Sequence, residues 1–171
     1  GRLWLENELR TRKTTCHIIQ PDEVSDESYV CGVGKMGAPT VGVEKIAQGH
    51  EMMNTLRGIE SHLQKKLDAI VIGEIGGSNA LMPIICGLQM NLPVIDGDGM
   101  GRAFPELQMD TFSIGGVSHE PMGLGDVHGN VVIFHKIDSA VRSEKYARVI
   151  TIEMGGSAAL AMPVMKGYEM K

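Results

Sequence analysis

The run from Asp68 to Asp98 restricts the fold of this chain more than any other stretch. It reads as an apolar strand (Asp68–Ile72), a glycine loop (Gly73–Asn79), an apolar helix (Ala80–Met90) and a second apolar strand (Pro93–Ile95). Pro83 is tolerated because it falls in the first turn of the helix, and Ser78 or Asn79 is placed to cap that helix. A strand that returns to a strand through a helix makes a parallel, right-handed crossover. The loops Gly73–Asn79 and Asp96–Glu106 must then leave one edge of a sheet, the edge at which open α/β sheets hold ligands.

The second loop belongs to PVIDGDGMGRAFPELQMD (93–110). Asp96, Asp98, Glu106 and Arg102 fall close together there, on a backbone that Gly97, Gly99 and Gly101 leave free to bend. Asp96 and Asp98 point the same way if the chain stays extended. The plain alternative is a turn with solvated acids. The first loop brings Gly76, Gly77, Ser78 and Asn79 to a helix start, where free backbone N–H groups suit an anion or a polarised carbonyl. A third loop, Gly34–Thr40, follows a strand at Tyr29–Val33 and matches neither GxGxxG nor the Walker pattern. Its Lys35 can pair with an anionic ligand, although a solvated lysine is the commoner case.

Elsewhere the pattern is ordinary. Leu3, Leu5 and Leu9 mark an amphipathic helix, and Thr14–Gln20 a strand. Met52, Met53, Leu56, Ile59 and Leu63 line one face of a helix over Gly49–Lys66. His50 and His62 on it have no third ligand, so no metal pair is read. Thr111–Ile114 reads as a strand, and Met122–Asp126 with Val131–His135 as a hairpin. Ser139–Val149 reads as a helix capped by Ser139, and Val149–Glu153 as a strand. EIGGSNALMP and EMGGSAALAMP look like two copies of one device, an apolar run entering a Gly-Gly-Ser turn. The expected fold is a single three-layer α/β domain over residues 1–171. Its central sheet is expected to be largely parallel, with the hairpin as the antiparallel part.

Composition narrows the function classes. The net charge of −5, the lack of a basic block and only 4% aromatics exclude nucleic acid as the main partner. No stretch approaches the ~20 apolar residues of a membrane span. Cys16, Cys31 and Cys86 form an odd set without CxxC spacing, which suits a reducing, cytoplasmic setting and buried, inert thiols. The N-terminus has no signal-peptide core and begins abruptly in a helix-like pattern.

Four motifs together resemble one family. KMGAPTVGVEKI (35–46), EIGGSNALMPI (74–84), DGDGMGRAFPELQM (96–109) and EMGGSAALAMP (153–163) are similar to the N-terminal domain of the S-methyl-thiohydantoin desulfurase family. That family was long a domain of unknown function and occurs beside or fused to hydantoinase/oxoprolinase proteins. The resemblance implies an α/β domain and chemistry on a small cyclic amide or thioimidate. It also implies that the chain lacks an upstream glycine-rich segment and a C-terminal β-rich domain. Apolar surface left uncovered would then drive self-association into a homo-oligomer.

Displacing methanethiol from such a ring needs an activated water and stabilisation of charge on the ring. Asp96 and Asp98, with Glu74 third, are the candidate acid and base. Arg102 can hold a ring carbonyl or a carboxylate through its planar fork. The amides of Gly76, Gly77 and Ser78 can serve an oxyanion. Asn79, Gly97, Gly99, Glu106 and Lys35 complete the expected binding residues. No organic cofactor is expected; the aspartate pair leaves a hard divalent ion open as ligand. Two other readings stand beside the enzyme. One is a non-catalytic module that holds a ligand or nucleotide for a hydantoinase/oxoprolinase partner. The other is a purely structural piece.

Overall fold

The computed structural model describes residues 1–12 and 14–171, apart from the Ser78 side chain. Among the described residues the chain forms seven strands in one sheet. They are β1 (Ile18–Ile19), β2 (Tyr29–Gly37), β3 (Ala69–Ile72), β4 (Val94–Asp98), β5 (Met122–Gly125), β6 (Val131–Phe134) and β7 (Ser157–Lys166). The sheet order is β1-β4-β3-β2-β7-β5-β6. From β1 to β2 the pairings are parallel; from β2 to β6 they are antiparallel. The fold is thus mixed α/β. The parallel part holds the crossover foreseen from Asp68–Asp98, while the antiparallel part is larger than the hairpin alone because β7 is inserted beside it.

The helices are α1 (Arg2–Arg12), α2 (Pro39–Glu44), α3 (Glu51–Leu63), α4 (Met82–Met90), α5 (Thr111–Ile114), α6 (Ala140–Glu153) and α7 (Gly167–Met170). None is long and apolar enough to cross a membrane. α3 buries Met52, Leu56 and Ile59 against Cys31, Val33, Ile70 and Ala161 of the sheet. Full burial of each such side chain stabilises by about 1.5–3 kcal/mol. α3 also lies unusually close to β5. A Cβ on Gly123 would meet Thr55 Cγ2 at 2.9 Å, and one on Gly125 would meet Thr55 Oγ1 at 2.1 Å. In α1 the buried residue is Glu8, whereas Leu3 and Leu9 are exposed. Trp4, Arg12 and Gln89 donate hydrogen bonds to the Glu8 carboxylate. Burial works to raise its pKa, but these partners outweigh it and leave it lowered.

Several expected elements are different. Thr111–Ile114 is helical, because Asp110 caps it by accepting a hydrogen bond from Ser113 N at 2.6 Å. Val149–Glu153 continues α6 rather than starting a strand. The strand at Thr14–Gln20 contracts to β1, and Gly34–Gly37 prolongs β2 instead of opening a loop. β2 can run on because β7 pairs with it as far as Gly37 and Ser157. Near its middle, register shifts between Cys31 and Val33. Pro163 lies opposite that point and has no N–H to give. Gly32 fits there because a Cβ would meet Met162 O at 2.1 Å.

Candidate functional site

The ends of β3 and β4 are tied to each other and to the middle of β2. Gly73 N donates to Val33 O and Gly99 N donates to Gly73 O, each at 3.0 Å. The two glycine loops therefore leave the sheet side by side, as the crossover demands. Gly99 must be glycine in this place, since a Cβ would lie 2.7 Å from Phe112 Cε2.

Glu74 sits in the loop just past β3 and turns back on it. Its Oε2 accepts from Gly76 N at 2.6 Å and its Oε1 from Asn79 Nδ2. The chain enters a 3-10 turn at Gly77–Leu81 before α4, and no side chain caps either start. Of the amides proposed for an oxyanion, that of Gly76 is thus occupied by Glu74. The Ser78 side chain lies outside the described residues. At the end of β4, Asp98 accepts from Met100 N at 2.9 Å and from Gly101 N, both on Oδ1. Its Oδ2 has no partner among the described residues. Asp96 is exposed and accepts from Gln20 Nε2 at 3.3 Å.

Beyond Gly99 the loop travels over α6. Arg148 Nη2 donates to Pro105 O at 3.1 Å, and Leu107 N donates to Glu144 Oε2 at 3.1 Å. Glu106 accepts from Gln108 Nε2 at 2.5 Å. Arg102 is exposed, without an ion pair among the described residues. The structure therefore brings Glu74, in the loop just past β3, and Asp98, the last residue of β4, to neighbouring strand ends. Asp96 reaches toward the segment after β1, and Glu106 lies in the part of the loop that runs over α6.

A cleft of about 70 Å³ lies between the sheet, α1, α3 and α4. Among the described residues, Lys35 is the one expected site residue in its wall. Lys35, Ala159 and Gly125 stand abreast on β2, β7 and β5 and make a low floor. Trp4, Lys45, Glu51, Met82, Cys86 and Gln89 also contribute. Sequence reading missed these because they come from separate segments that only the fold assembles. Cys31 and Cys86 are buried, and burial raises both thiols, that of Cys86 to about 12.

A second polar group was also missed. His119 Nε2 and Ser113 Oγ are 2.6 Å apart, and His119 Nδ1 is buried without a partner among the described residues. Burial lowers the His119 pKa, and the nearby Asp110 carboxylate partly opposes that. Spacing in sequence gives no sign of this pair. Among the described residues no three His, Cys, Asp or Glu side chains are grouped to hold a metal ion.

The fold is shared with a solved structure. An X-ray structure of a protein from Chromobacterium violaceum superposes with a TM-score of 0.81 at 24% identity. The match covers 91% of this chain but 44% of that one. No curated protein matches the sequence. A family model described as "S-Me-THD-like, N-terminal domain" matches residues 1–136, a span that holds three of the four motifs above. The chain belongs to that S-methyl-thiohydantoin desulfurase N-terminal domain family.

Proposed function

We propose that this domain takes part in hydrolysis of S-methyl thiohydantoin or a related hydantoin-type cyclic amide, by carboxylate-assisted attack of water. The observation that carries this reading is the state of Asp98. One carboxylate oxygen is fixed by two backbone amides at the end of a parallel strand, and the other has no partner among the described residues. A base held in this way can orient a water without losing its own position. Asp98 Oδ2 takes a proton from water as its oxygen bonds to the ring carbon. The C–S bond then breaks, and methanethiolate leaves and is protonated. Asp96 is the second carboxylate within reach of the same strand end, and Arg102 is the exposed fork that meets the ring carbonyl. Glu74, with both oxygens engaged, shapes the first loop. A divalent ion at the aspartates and a hydantoinase/oxoprolinase partner in the cytoplasm belong to the same reading, as does self-association.

The test is methanethiol release from S-methyl thiohydantoin, with and without added Mg²⁺. Asp98→Asn should cut the rate by about 10²–10⁴-fold while the circular dichroism spectrum stays unchanged. Normal turnover by that variant removes Asp98 from the reaction.

A non-catalytic ligand-binding module is the second reading. It is favoured by Glu74, whose carboxylate is consumed within its own loop, and by a cleft whose wall contains none of the candidate acids. Tight binding of a hydantoin or nucleotide without turnover would select it.

A further inference from the structure

We propose that Ser113 and His119 form a nucleophile and its base, and that they take the acyl group from small, neutral carboxylic esters. This activity goes beyond the reading above and does not use Asp98. The pair is made by the way the chain folds around α5. Asp110 caps that helix through Ser113 N, and Thr111 ties it to the end of β4, its N and Oγ1 donating to Gly99 O at 2.8 and 2.9 Å. Phe112 is buried against Gly99. Val117 N then donates to Phe112 O at 3.0 Å, so the chain turns back and returns His119 to the same helix. Ser113 is half-buried, whereas His119 is only 5% exposed. The hydroxyl is the part that a substrate can reach, and the imidazole is the part that stays dry. A separation of 2.6 Å between Oγ and Nε2 is that of a nucleophile hydrogen-bonded to its base. The hydroxyl has no other hydrogen bond among the described residues. Burial lowers the pKa of His119, which keeps Nε2 able to accept a proton at neutral pH. The nearby Asp110 carboxylate favours positive charge on the ring as that proton moves.

The acyl class follows from what stands around the pair. His119 is part of the wall of a cavity of about 190 Å³, whose apolar lining is Val117, Ile137 and Ala140. A space of about 150 Å³ holds a benzene-sized group, so a short acyl chain fits here. The hydroxyls of the wall are engaged locally. Ser118 Oγ accepts from Glu120 N at 3.3 Å, Ser139 Oγ accepts from Arg142 N at 3.4 Å, and Ser143 Oγ donates to Ser139 O at 3.2 Å. Three carboxylates, on Asp110, Glu120 and Asp138, stand on the segments that hold the pair and its cavity. Asp138 is paired with Arg142 at 3.4 Å, and Glu120 accepts from Ile137 N at 2.5 Å. An acyl group that carries negative charge is repelled there. In the reaction Ser113 Oγ bonds to the ester carbon while His119 Nε2 takes the hydroxyl proton. The C–O bond to the alcohol breaks, and the leaving oxygen receives that proton. Water then attacks the acyl-serine and gives its proton to His119. The acid leaves, and the proton returns to Ser113 Oγ. One ester and one water become one acid and one alcohol.

The experiment has two arms on the whole chain. In the first, a fluorophosphonate probe is added and the adduct is located by peptide mass. The serine oxygen bonds to phosphorus, fluoride leaves, and His119 takes the proton. Wild type should carry one adduct, on Ser113, and His119→Gln should slow its formation by about 10²-fold or more. The labelling rate should be level above the lowered His119 pKa and should fall as pH drops through it. Asn also caps helices, so Asp110→Asn should keep α5 and move that fall to lower pH. In the second arm, p-nitrophenyl butyrate should release nitrophenolate, Ser113→Ala should not, and anionic p-nitrophenyl hemisuccinate should react roughly tenfold more slowly than the butyrate. No adduct on Ser113, or one that forms as fast in His119→Gln, overturns the pair. If His119→Gln does not fold, a wild-type labelling rate that ignores pH between 5 and 7 overturns it instead. Labelling of Ser113 without release from the butyrate keeps the nucleophile and removes the ester assignment, as does equal reaction with the hemisuccinate.

Discussion

Gly125 is where one methyl group has the clearest cost. A Cβ there would meet Thr55 Oγ1 at 2.1 Å and Glu51 O at 3.1 Å. Gly125→Ala should lose about 1–3 kcal/mol in urea unfolding through overpacking. Thr55→Ala removes the nearest atom and should recover part of that loss, so the pair should be non-additive. The thiols make a second test at this scale. Cys31 and Cys86 are buried and held protonated, so a thiol reagent such as dithionitrobenzoate should leave both untouched until the chain unfolds. Rapid labelling of either in the native state would contradict their burial. His119 gives a pH dependence with a definite sign. Its folded pKa lies below the ordinary 6.5, so the unfolded chain takes up a proton there that the folded chain resists. Stability from this group is full above that pH and is lost as pH falls below it. Between about pH 7 and 5, His119→Gln should flatten the slope of the urea midpoint against pH.

At the level of elements, the two Gly-Gly-Ser runs show how far letters alone can carry a reading. EIGGSNALMP and EMGGSAALAMP look like one device, but the first goes from strand to helix and the second from helix to strand. The difference lies in the glycines. Gly155 and Gly156 both have positive φ and end α6, with Gly155 N donating to Ile152 O and Gly156 N to Thr151 O. In the first run only Gly77 has positive φ. The crossover, the face of α3 and the hairpin were legible because periodicity and turn chemistry agree in them. The helical nature of Thr111–Ile114 and Thr151–Glu153 was hidden, since β-branched residues dominate the local pattern and caps or continuation of a helix decide the outcome. The cleft was illegible for a different reason: it exists only where distant segments meet. The hairpin turn supplies its own prediction. Asp126 is buried and accepts from His128 N, Asn130 N and Asn130 Nδ2 at 2.8–2.9 Å. Burial pushes its pKa up, but these donors outweigh that and lower it from the ordinary 3.8. Its stabilisation is present above that value and is lost as pH falls through the lowered one. Asp126→Ala should cost about 1–3 kcal/mol by leaving turn amides unpaired, measured by thermal unfolding.

For the whole molecule, β7 is the strand on which closure depends. It pairs with β2 on one side and β5 on the other, joining the parallel part to the hairpin. It lies outside residues 1–136, the span that matches the family model. A chain ending at residue 136 should therefore fail to fold cooperatively, and circular dichroism melts should show no sharp transition. A native-like melt from that piece would mean that β2 and β5 can pair without β7. The position of β7 also has a consequence in time. On a ribosome adding roughly 5–20 residues per second, β2 emerges on the order of ten seconds before its partner exists. Throughout that wait it offers an unpaired edge, the kind of template on which nascent chains stick to one another. Gly32, Gly34 and Gly37 make that edge a weak template, and Lys35 repels a second copy in register. Gly34 and Lys35, which later line the cleft, thus also protect the chain while it is being made.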